Sequence, residues 1–456
     1  MILVTQNQLP ITHLQLYFTH RSDPSPSGRS VALNTLTQRQ VIRGTRHRSR
    51  AQFMSAVGQL GTEVNLIQRR FAHSLSAVVL SRKWNDLMEL IIEGLSEPRL
   101  CPDEFAQSKR AYQAELAARY DMDAPLAWLW LSRRVFYKHQ WLRAGVSVTH
   151  EDIERTTLDE VKAVWSELFS TKRLFSCLTT DLTQTVVDAS LGALSQALGA
   201  MSCPSKDRDQ EECEGHTADG TQLQLCSIHP LAPLTQMTLT LVHKAERKQA
   251  QVFLALPSIS PHHPDHLTLS LAICALGGTF SSPLMQEVRV KRGLSYGAHA
   301  GVRGEGEARY ITFHATPEAP DVVETLTVMR NVLGRGAQGD LSDDEISFAK
   351  RYLINAHPFT VETPTMRAAL ISRARLQGLN PDEVLLIPQR LSEISADRVR
   401  EVASKYLSTR LLEVLVLGDH NPQGALGALE DQLSASWDIA QVIRTDANAA
   451  PQSVWR

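Results

Sequence analysis

The chain has 456 residues, which is too long for one ordinary hydrophobic core and favours two domains of about 200 residues each. Hydrophobic residues make up 43% and charged residues 21% of the sequence, as is typical of an ordinary soluble globular protein. The 47 Lys and Arg residues nearly balance the 49 Asp and Glu residues, so the formal net charge of −2 predicts neither a nucleic-acid nor a membrane partner.

The first part of the chain mixes short strands with helices and then becomes mostly helical. Residues 12–19 alternate between polar and apolar side chains, which predicts a strand with Leu14, Leu16 and Phe18 on one face. Further strands are predicted at residues 63–68, 72–80 and 174–179. Helices are predicted at residues 30–43, 50–59, 83–95, 102–119, 125–137, 158–169 and 184–198.

Composition changes abruptly at residues 202–222, which contain almost nothing apolar. Such a stretch is typical of a solvated linker. We therefore predict a first domain at residues 1–201, an acidic linker at 202–222 and a second domain at 223–456. In the second domain, strands are predicted at residues 236–242, 250–256, 309–316 and 411–417, and helices at 266–276, 322–333, 342–356, 366–377 and 396–407.

A segment from residue 276 to residue 296 carries a candidate site. An apolar helix ends at Gly277, a second helix can begin with Pro283, and Gly293 ends it. Arg289 then falls in the last turn of that helix and Tyr296 at the start of the next strand. A fixed cation and a phenol facing one cleft could grip a peptide carbonyl and the charge that develops on it. The alternative is structural, with the cation at a helix C-terminus and a half-buried aromatic in a strand.

The two halves of the chain look like copies of each other. Residues 157–172 align with residues 395–410 without a gap, and both contain Asp, two Val, two Ser and Thr at identical spacing. Each half is therefore predicted to be α+β, with an antiparallel sheet covered by helices.

Cysteine and histidine patterns give little support for a metal site. Cys203, Cys213, Cys226 and His229 are irregularly spaced, and no C-x-x-C pair occurs. Residues 262–266 contain three histidines and an aspartate, but the Pro-rich sequence is better explained as an exposed loop and helix cap. The first residues lack the features of a signal peptide, so we expect the cytoplasm, or the periplasm if a processed signal has been removed.

With these landmarks placed, the chain resembles the insulinase/pitrilysin family of zinc metallopeptidases. It is most similar to the half-length bacterial subunits related to mitochondrial processing peptidase, over nearly its whole length. The most specific motifs occur in the family's order in the second half, at residues 251–257, 276–278, 288–296, 344–350 and 415–419. The resemblance implies that Arg289 and Tyr296 match the family's substrate-binding pair, which binds the scissile carbonyl region.

The family's zinc motif is absent from the first half. Catalytic members carry H-x-x-E-H before a Gly-Thr pair, and the equivalent positions here are residues 35–39, with Thr35, Gln38 and Arg39 in place of the two histidines and the glutamate. Glu115 matches the family's remaining ligand, although a role as an ordinary surface-helix residue is favoured for it. One carboxylate cannot hold a catalytic zinc ion, so we expect no metal in this chain.

The resemblance therefore implies half of a composite active site. We expect a non-catalytic subunit, inactive alone, that pairs with a homologous half-length chain carrying zinc and cleaves peptides inside a closed chamber. Arg289 and Tyr296 would face the partner's zinc. Two alternatives are a purely structural or binding subunit of a larger complex, and a partner in the maturation of a ribosomally made precursor peptide.

Overall fold

The computed structural model describes residues 1–6, 9–19, 26–68, 72–136, 138–201 and 230–449. The predicted linker at residues 202–222 and the group formed by Cys203, Cys213, Cys226 and His229 lie outside these ranges. No helix within them is long and apolar enough to cross a membrane.

Helices dominate both halves of the described chain. Helices α1 to α9 are Gly28–Arg39, Arg50–Gln59, Trp84–Ser96, Pro102–Asp121, Asp123–Val135, Gln140–Gly145, His150–Arg155, Leu158–Leu168 and Gln184–Ala200. Helices α10 to α18 are His266–Gly277, Pro283–Met285, Val322–Ala337, Asp343–Thr360, Pro364–Leu376, Pro381–Leu385, Ile387–Glu393, Ala396–Tyr406 and Leu429–Ser434.

The first sheet has five strands in the order β1-β5-β2-β4-β3. These strands are Ile2–Thr5, Ile11–Thr19, Asn65–Gln68, Ala72–Leu80 and Leu174–Thr180 for β1 to β5. Strand β1 runs parallel to β5, and the other neighbours are antiparallel. The α+β class is thus confirmed, but the sheet is mixed, because strands far apart in sequence and joined through helices can pair in parallel.

The second sheet has six strands in the order β11-β6-β10-β7-β9-β8. These strands are Met237–His243, Gln251–Pro257, Ser295–Glu305, Ala308–Pro317, Glu413–Gly418 and Ile439–Asp446 for β6 to β11. Strand β6 is parallel to both β10 and β11, so this sheet is also mixed. Strand β8 lies at an edge of the sheet and leads directly out of the candidate site.

The chain divides into two compact units, and each is discontinuous in sequence. The first comprises Met1–Leu116, Val148–Ser227 and Phe359–Val384, and the second comprises Ala117–Ser147, Ile228–Pro358 and Leu385–Arg456, counting the described residues in these ranges. Each unit thus includes a segment from the other half of the sequence. The prediction of contiguous domains at 1–201 and 223–456 did not anticipate this, because an apolar helix face does not indicate which sheet it will cover.

Helix α14 comes from the second half of the sequence but belongs to the first unit. Its Ala368 and Leu376 belong to a buried cluster with Phe175 and Cys177 of β5. Full burial of a large apolar side chain, such as that of Leu376 or Phe175, stabilises the folded state by about 1.5–3 kcal/mol. A few such contacts are enough to hold the helix on the sheet.

Helix α5 plays the corresponding part in the second unit. Its Trp128 packs edge-on against Phe253 of β7, with ring centroids 4.7 Å apart. Phe136, just after the helix, packs edge-on against Tyr310 of β9 at 5.6 Å. The opposite face of this sheet is covered by α10, whose residues from Leu271 onward are buried.

His314 of β9 lies in the aromatic layer under α5. Its ring stacks on Phe253 with centroids 4.3 Å apart, and its Nε2 lies 2.9 Å from Oε1 of Gln251. Burial, together with the nearby His299 and Arg303, lowers the pKa of His314 from 6.5 to about 4. The folded state therefore resists protonation of this ring.

We expect His314 to make the second unit sensitive to mild acid. Because the folded pKa lies below the unfolded value, the stabilisation is present above about pH 6.5 and is lost as the pH falls towards 4. From pH 7 to pH 5 the free energy of unfolding should drop by about 2 kcal/mol through this group. Urea unfolding at the two pH values should show a smaller drop in His314→Gln, whereas a change at the exposed His262, His262→Gln, should leave the drop unchanged.

Candidate functional site

The positions predicted to match the family's zinc motif, Thr35, Gln38 and Arg39, lie on the last turns of α1. The hydroxyl of Thr35 donates to the carbonyl of Val31 at 2.7 Å and also contacts the side chain of Gln68. The Gln38 side chain is buried, and its amide nitrogen donates to the carbonyl of Ser74 at 3.1 Å. Neither side chain is a strong zinc ligand, and both are engaged in hydrogen bonds within the first unit.

Arg39 and Glu115 form a two-point ion pair in the first unit. Nη1 and Nη2 of Arg39 lie 3.0 and 2.6 Å from the two carboxylate oxygens of Glu115. The guanidinium also lies over the ring of Tyr112 at 4.7 Å. The Glu115 carboxylate, which is predicted to match a family ligand, is therefore paired with a side-chain cation. These residues do not fit a zinc ion, because the set offers no imidazole and already contains a positive charge.

No other metal centre occurs in the ranges that the structure describes, where no group of three or more His, Cys, Asp or Glu side chains could hold an ion. In the histidine-rich turn, Nδ1 of His263 accepts a hydrogen bond from the backbone N–H of Asp265 at 3.0 Å. The Asp265 carboxylate accepts from the Tyr406 hydroxyl at 2.9 Å and from Lys405 at 3.3 Å, which lowers its pKa. This cluster connects α10 to α17 and has a structural role.

The segment at residues 276–296 largely has the predicted form. Helix α10 ends at Gly277, whose Cβ, if present, would lie 2.6 Å from the Cβ of Ala300, so only glycine allows the close approach of α10 to β8. Pro283 is the first residue of α11, as predicted. Gly293 has a φ of +68°, which explains its place at the end of the helix.

The helix that carries Arg289 is a π-helix rather than an α-helix from Gln286 to Lys291. The sequence signals did not predict this widening. A π-helical turn adds a residue per turn and changes the direction of the side chains that follow it. It places the Arg289 side chain beside the start of β8.

Arg289 lies between two exposed aromatic side chains, those of Tyr296 and Phe280. Its guanidinium carbon is 4.4 Å from the ring centroid of Tyr296 and 5.1 Å from that of Phe280. Within the described part of the chain, its side chain forms no ion pair or hydrogen bond. Its N–H groups are therefore available to an acceptor from a ligand.

The neighbouring cations are neutralised within the same segment. Nζ of Lys291 lies 2.5 Å from the Glu287 carboxylate, Arg292 pairs with the same carboxylate, and Arg292 also lies 3.6 Å from Glu324. Hydrogen bonds from Lys291 and Arg292 lower the pKa of Glu287. Of the three cations at residues 289–292, Arg289 alone lacks a carboxylate partner among the described residues.

Tyr296 is 86% exposed, which differs from the half-buried aromatic of the structural alternative. It lies where the pairing of β8 with β9 shifts register, since Ser295 pairs with Pro317 but the next pair is Ala298 with Ala315. Such bulges redirect side chains. The structure thus brings the two predicted residues, Arg289 and Tyr296, into contact.

Sequence analysis missed Phe280, the third member of this cluster. It is 61% exposed in the turn between α10 and α11. The sequence did contain a signal for it. Phe280 is a large apolar residue in a turn of glycine, threonine and serine, and no helix or strand periodicity there predicts that its ring is buried.

Comparisons with known proteins identify a matching family model and several relatives. Residues 223–353 match the family model described as peptidase M16 inactive domain. The chain is 22% identical to an uncharacterized zinc protease of Streptomyces coelicolor, over 83% of this chain and 80% of that protein. It is 20% identical to the non-peptidase homolog YmxG of Helicobacter pylori, over 79% and 78% of the two chains.

Solved structures share the fold over most of its length. The peptidase M16 inactive domain from Pseudomonas fluorescens superposes with a TM-score of 0.77 at 20% identity, covering 91% of this chain and 94% of that one. A protease from Helicobacter pylori gives a TM-score of 0.73 at 15% identity, covering 91% and 96%. These structures show that the fold is shared, and the match of residues 223–353 to the family model confirms the resemblance inferred from the sequence.

Proposed function

We propose that this chain, whose residues 223–353 match the family model described as peptidase M16 inactive domain, is the non-catalytic subunit of a heterodimeric zinc metallopeptidase. A homologous half-length chain carrying H-x-x-E-H would supply the metal site. The two chains would enclose a chamber in which unstructured peptides are cleaved. This work would take place in the cytoplasm, or in the periplasm if the chain is exported.

The observation that carries this role is the contrast between two clusters in the same chain. Arg39 and Glu115, at positions predicted to match the family's metal ligands, form an ion pair with each other. Arg289, in contrast, has no carboxylate partner in the described ranges and lies against an exposed tyrosine. An unpaired cation beside an exposed phenol is suited to binding an oxygen atom of another molecule.

In the assembled pair, Arg289 and Tyr296 would act on the scissile carbonyl. The guanidinium N–H groups and the phenol O–H would donate hydrogen bonds to its oxygen, and these bonds would strengthen as negative charge develops there. The partner's zinc would supply the activated water. The peptide backbone could be held as an added strand at a sheet edge, for which β8 is placed next to both residues.

The exposure of Tyr296 weighs against a purely structural subunit, because a phenol that only filled a core would be buried. Maturation of a dedicated precursor peptide would use the same residues and differs only in the substrate. The two uses are distinguished by whether the pair cleaves unrelated unstructured peptides.

The proposed role predicts that the isolated chain contains no stoichiometric zinc and does not cleave an unstructured peptide. Elemental analysis of the purified chain and a fluorogenic peptide assay measure both properties. Addition of the zinc-bearing homologue from the same organism should produce turnover well above that of the homologue alone. Stoichiometric zinc together with peptidase activity in the isolated chain would overturn the proposal.

A further inference from the structure

Phe280 is held in a defined position although its ring is mostly exposed. The Ser282 hydroxyl donates to the carbonyl of Thr279 at 2.6 Å, which closes the turn that contains Phe280. The Gln286 amide nitrogen donates to the Phe280 carbonyl at 3.3 Å. The backbone of this residue is therefore attached to the π-helical segment that carries Arg289.

The Phe280 ring is one of two aromatic surfaces that restrict the Arg289 side chain. An arginine side chain in solvent samples many rotamers, and ordering it has an entropic cost. Contacts with the rings of Phe280 and Tyr296 at 5.1 and 4.4 Å favour one location of the guanidinium without using its N–H groups. An ion pair would also fix the side chain, but it would consume the donors and compensate the charge.

No packing requirement explains Phe280, since 61% of its surface is exposed and an apolar ring gains little there. Val290, in the helix that carries Arg289, is similarly exposed at 55%. The contact that distinguishes Phe280 is the one with Arg289.

We propose that Phe280 is a positioning residue, which holds the Arg289 guanidinium ready to bind the substrate carbonyl. This role builds on the proposed function, because it acts only through Arg289. It predicts a defined coupling between the two residues: loss of the ring should matter when Arg289 is present and should not matter when Arg289 is absent.

The test is a double-mutant cycle in the assembled pair. Phe280→Ala should lower kcat/KM for an unstructured peptide by roughly three- to thirty-fold, the range expected for a partly exposed cation–π contact. Phe280→Trp should restore most of the activity and Phe280→Leu should not, because leucine retains apolar volume without an aromatic face. In an Arg289→Ala background, Phe280→Ala should change kcat/KM less than two-fold. Val290→Ala is the matched control and should also stay within two-fold.

An activity-independent measurement separates this role from the proposed function. In the isolated chain labelled with 15N-arginine, the Nε–H signal of Arg289, assigned with Arg289→Lys, should shift in Phe280→Ala and return towards its original position in Phe280→Trp. An unchanged signal in Phe280→Ala would overturn the positioning role, as would equal losses from this substitution with and without Arg289. If the wild-type pair does not cleave peptides, the proposed function fails, and the arginine signal alone decides the role of Phe280.

Discussion

Replacing Arg289 with alanine in the assembled pair is expected to lower kcat/KM by roughly ten- to a thousand-fold, while the zinc content of the pair stays unchanged. The reason is that the guanidinium lies in the second unit of this chain, has no carboxylate partner in the described ranges and would act on the developing oxyanion. Such hydrogen-bond donors stabilise the transition state more than the bound substrate, so kcat should fall more than KM rises. Steady-state kinetics with a fluorogenic peptide measure the loss.

The matched control is Arg292→Ala, which removes a cation of the same type three residues further along. Arg292 is paired with Glu287, so its loss should change kcat/KM by less than about three-fold. Tyr296→Phe removes only the hydroxyl and should lower kcat/KM by roughly ten-fold or more if the phenol donates to the carbonyl. Unchanged turnover in both Arg289→Ala and Tyr296→Phe would show that these residues have only a structural role.

The local features of this site could be predicted from the sequence because local signals determine them. Proline is favoured as the first helical residue and glycine at a position with positive φ, so the bounds of the Arg289 helix follow from Pro283 and Gly293. The adjacency of Arg289 and Tyr296 follows from the short connection between that helix and β8. Motif order then indicated the family.

Features that depend on contacts between distant segments could not be predicted. The sequence identified Arg39 and Glu115 separately, but only the packing of α1 and α4 in the first unit shows that they form an ion pair. The π-helical turn has no composition signal, because it depends on how the helix fits against its neighbours. The same applies to α5 and α14, whose apolar faces fit either sheet by pattern alone.

The placement of α5 in the second unit depends on a buried ion pair as well as on aromatic packing. Nε and Nη2 of Arg134 lie 3.1 and 2.8 Å from the two carboxylate oxygens of Glu413 in β10. The two side chains are only 4% and 5% exposed. A two-point pair with this burial connects a helix from the first half of the sequence to a central strand of the second sheet.

Glu413→Ala is therefore expected to reduce the free energy of unfolding of the second unit by about 3–5 kcal/mol, because it leaves the Arg134 charge buried without its carboxylate. Urea unfolding followed by tryptophan fluorescence measures the loss, and Arg444→Ala, which removes the exposed arginine of a surface pair with Glu430, should cost less than about 1 kcal/mol. The double variant Arg134→Met, Glu413→Leu should recover much of the loss, since apolar side chains of similar size can replace a buried pair. A single variant as stable as the wild type would show that aromatic packing alone holds α5. Recovery in the double variant would show instead that the penalty arises from a buried charge that has lost its carboxylate.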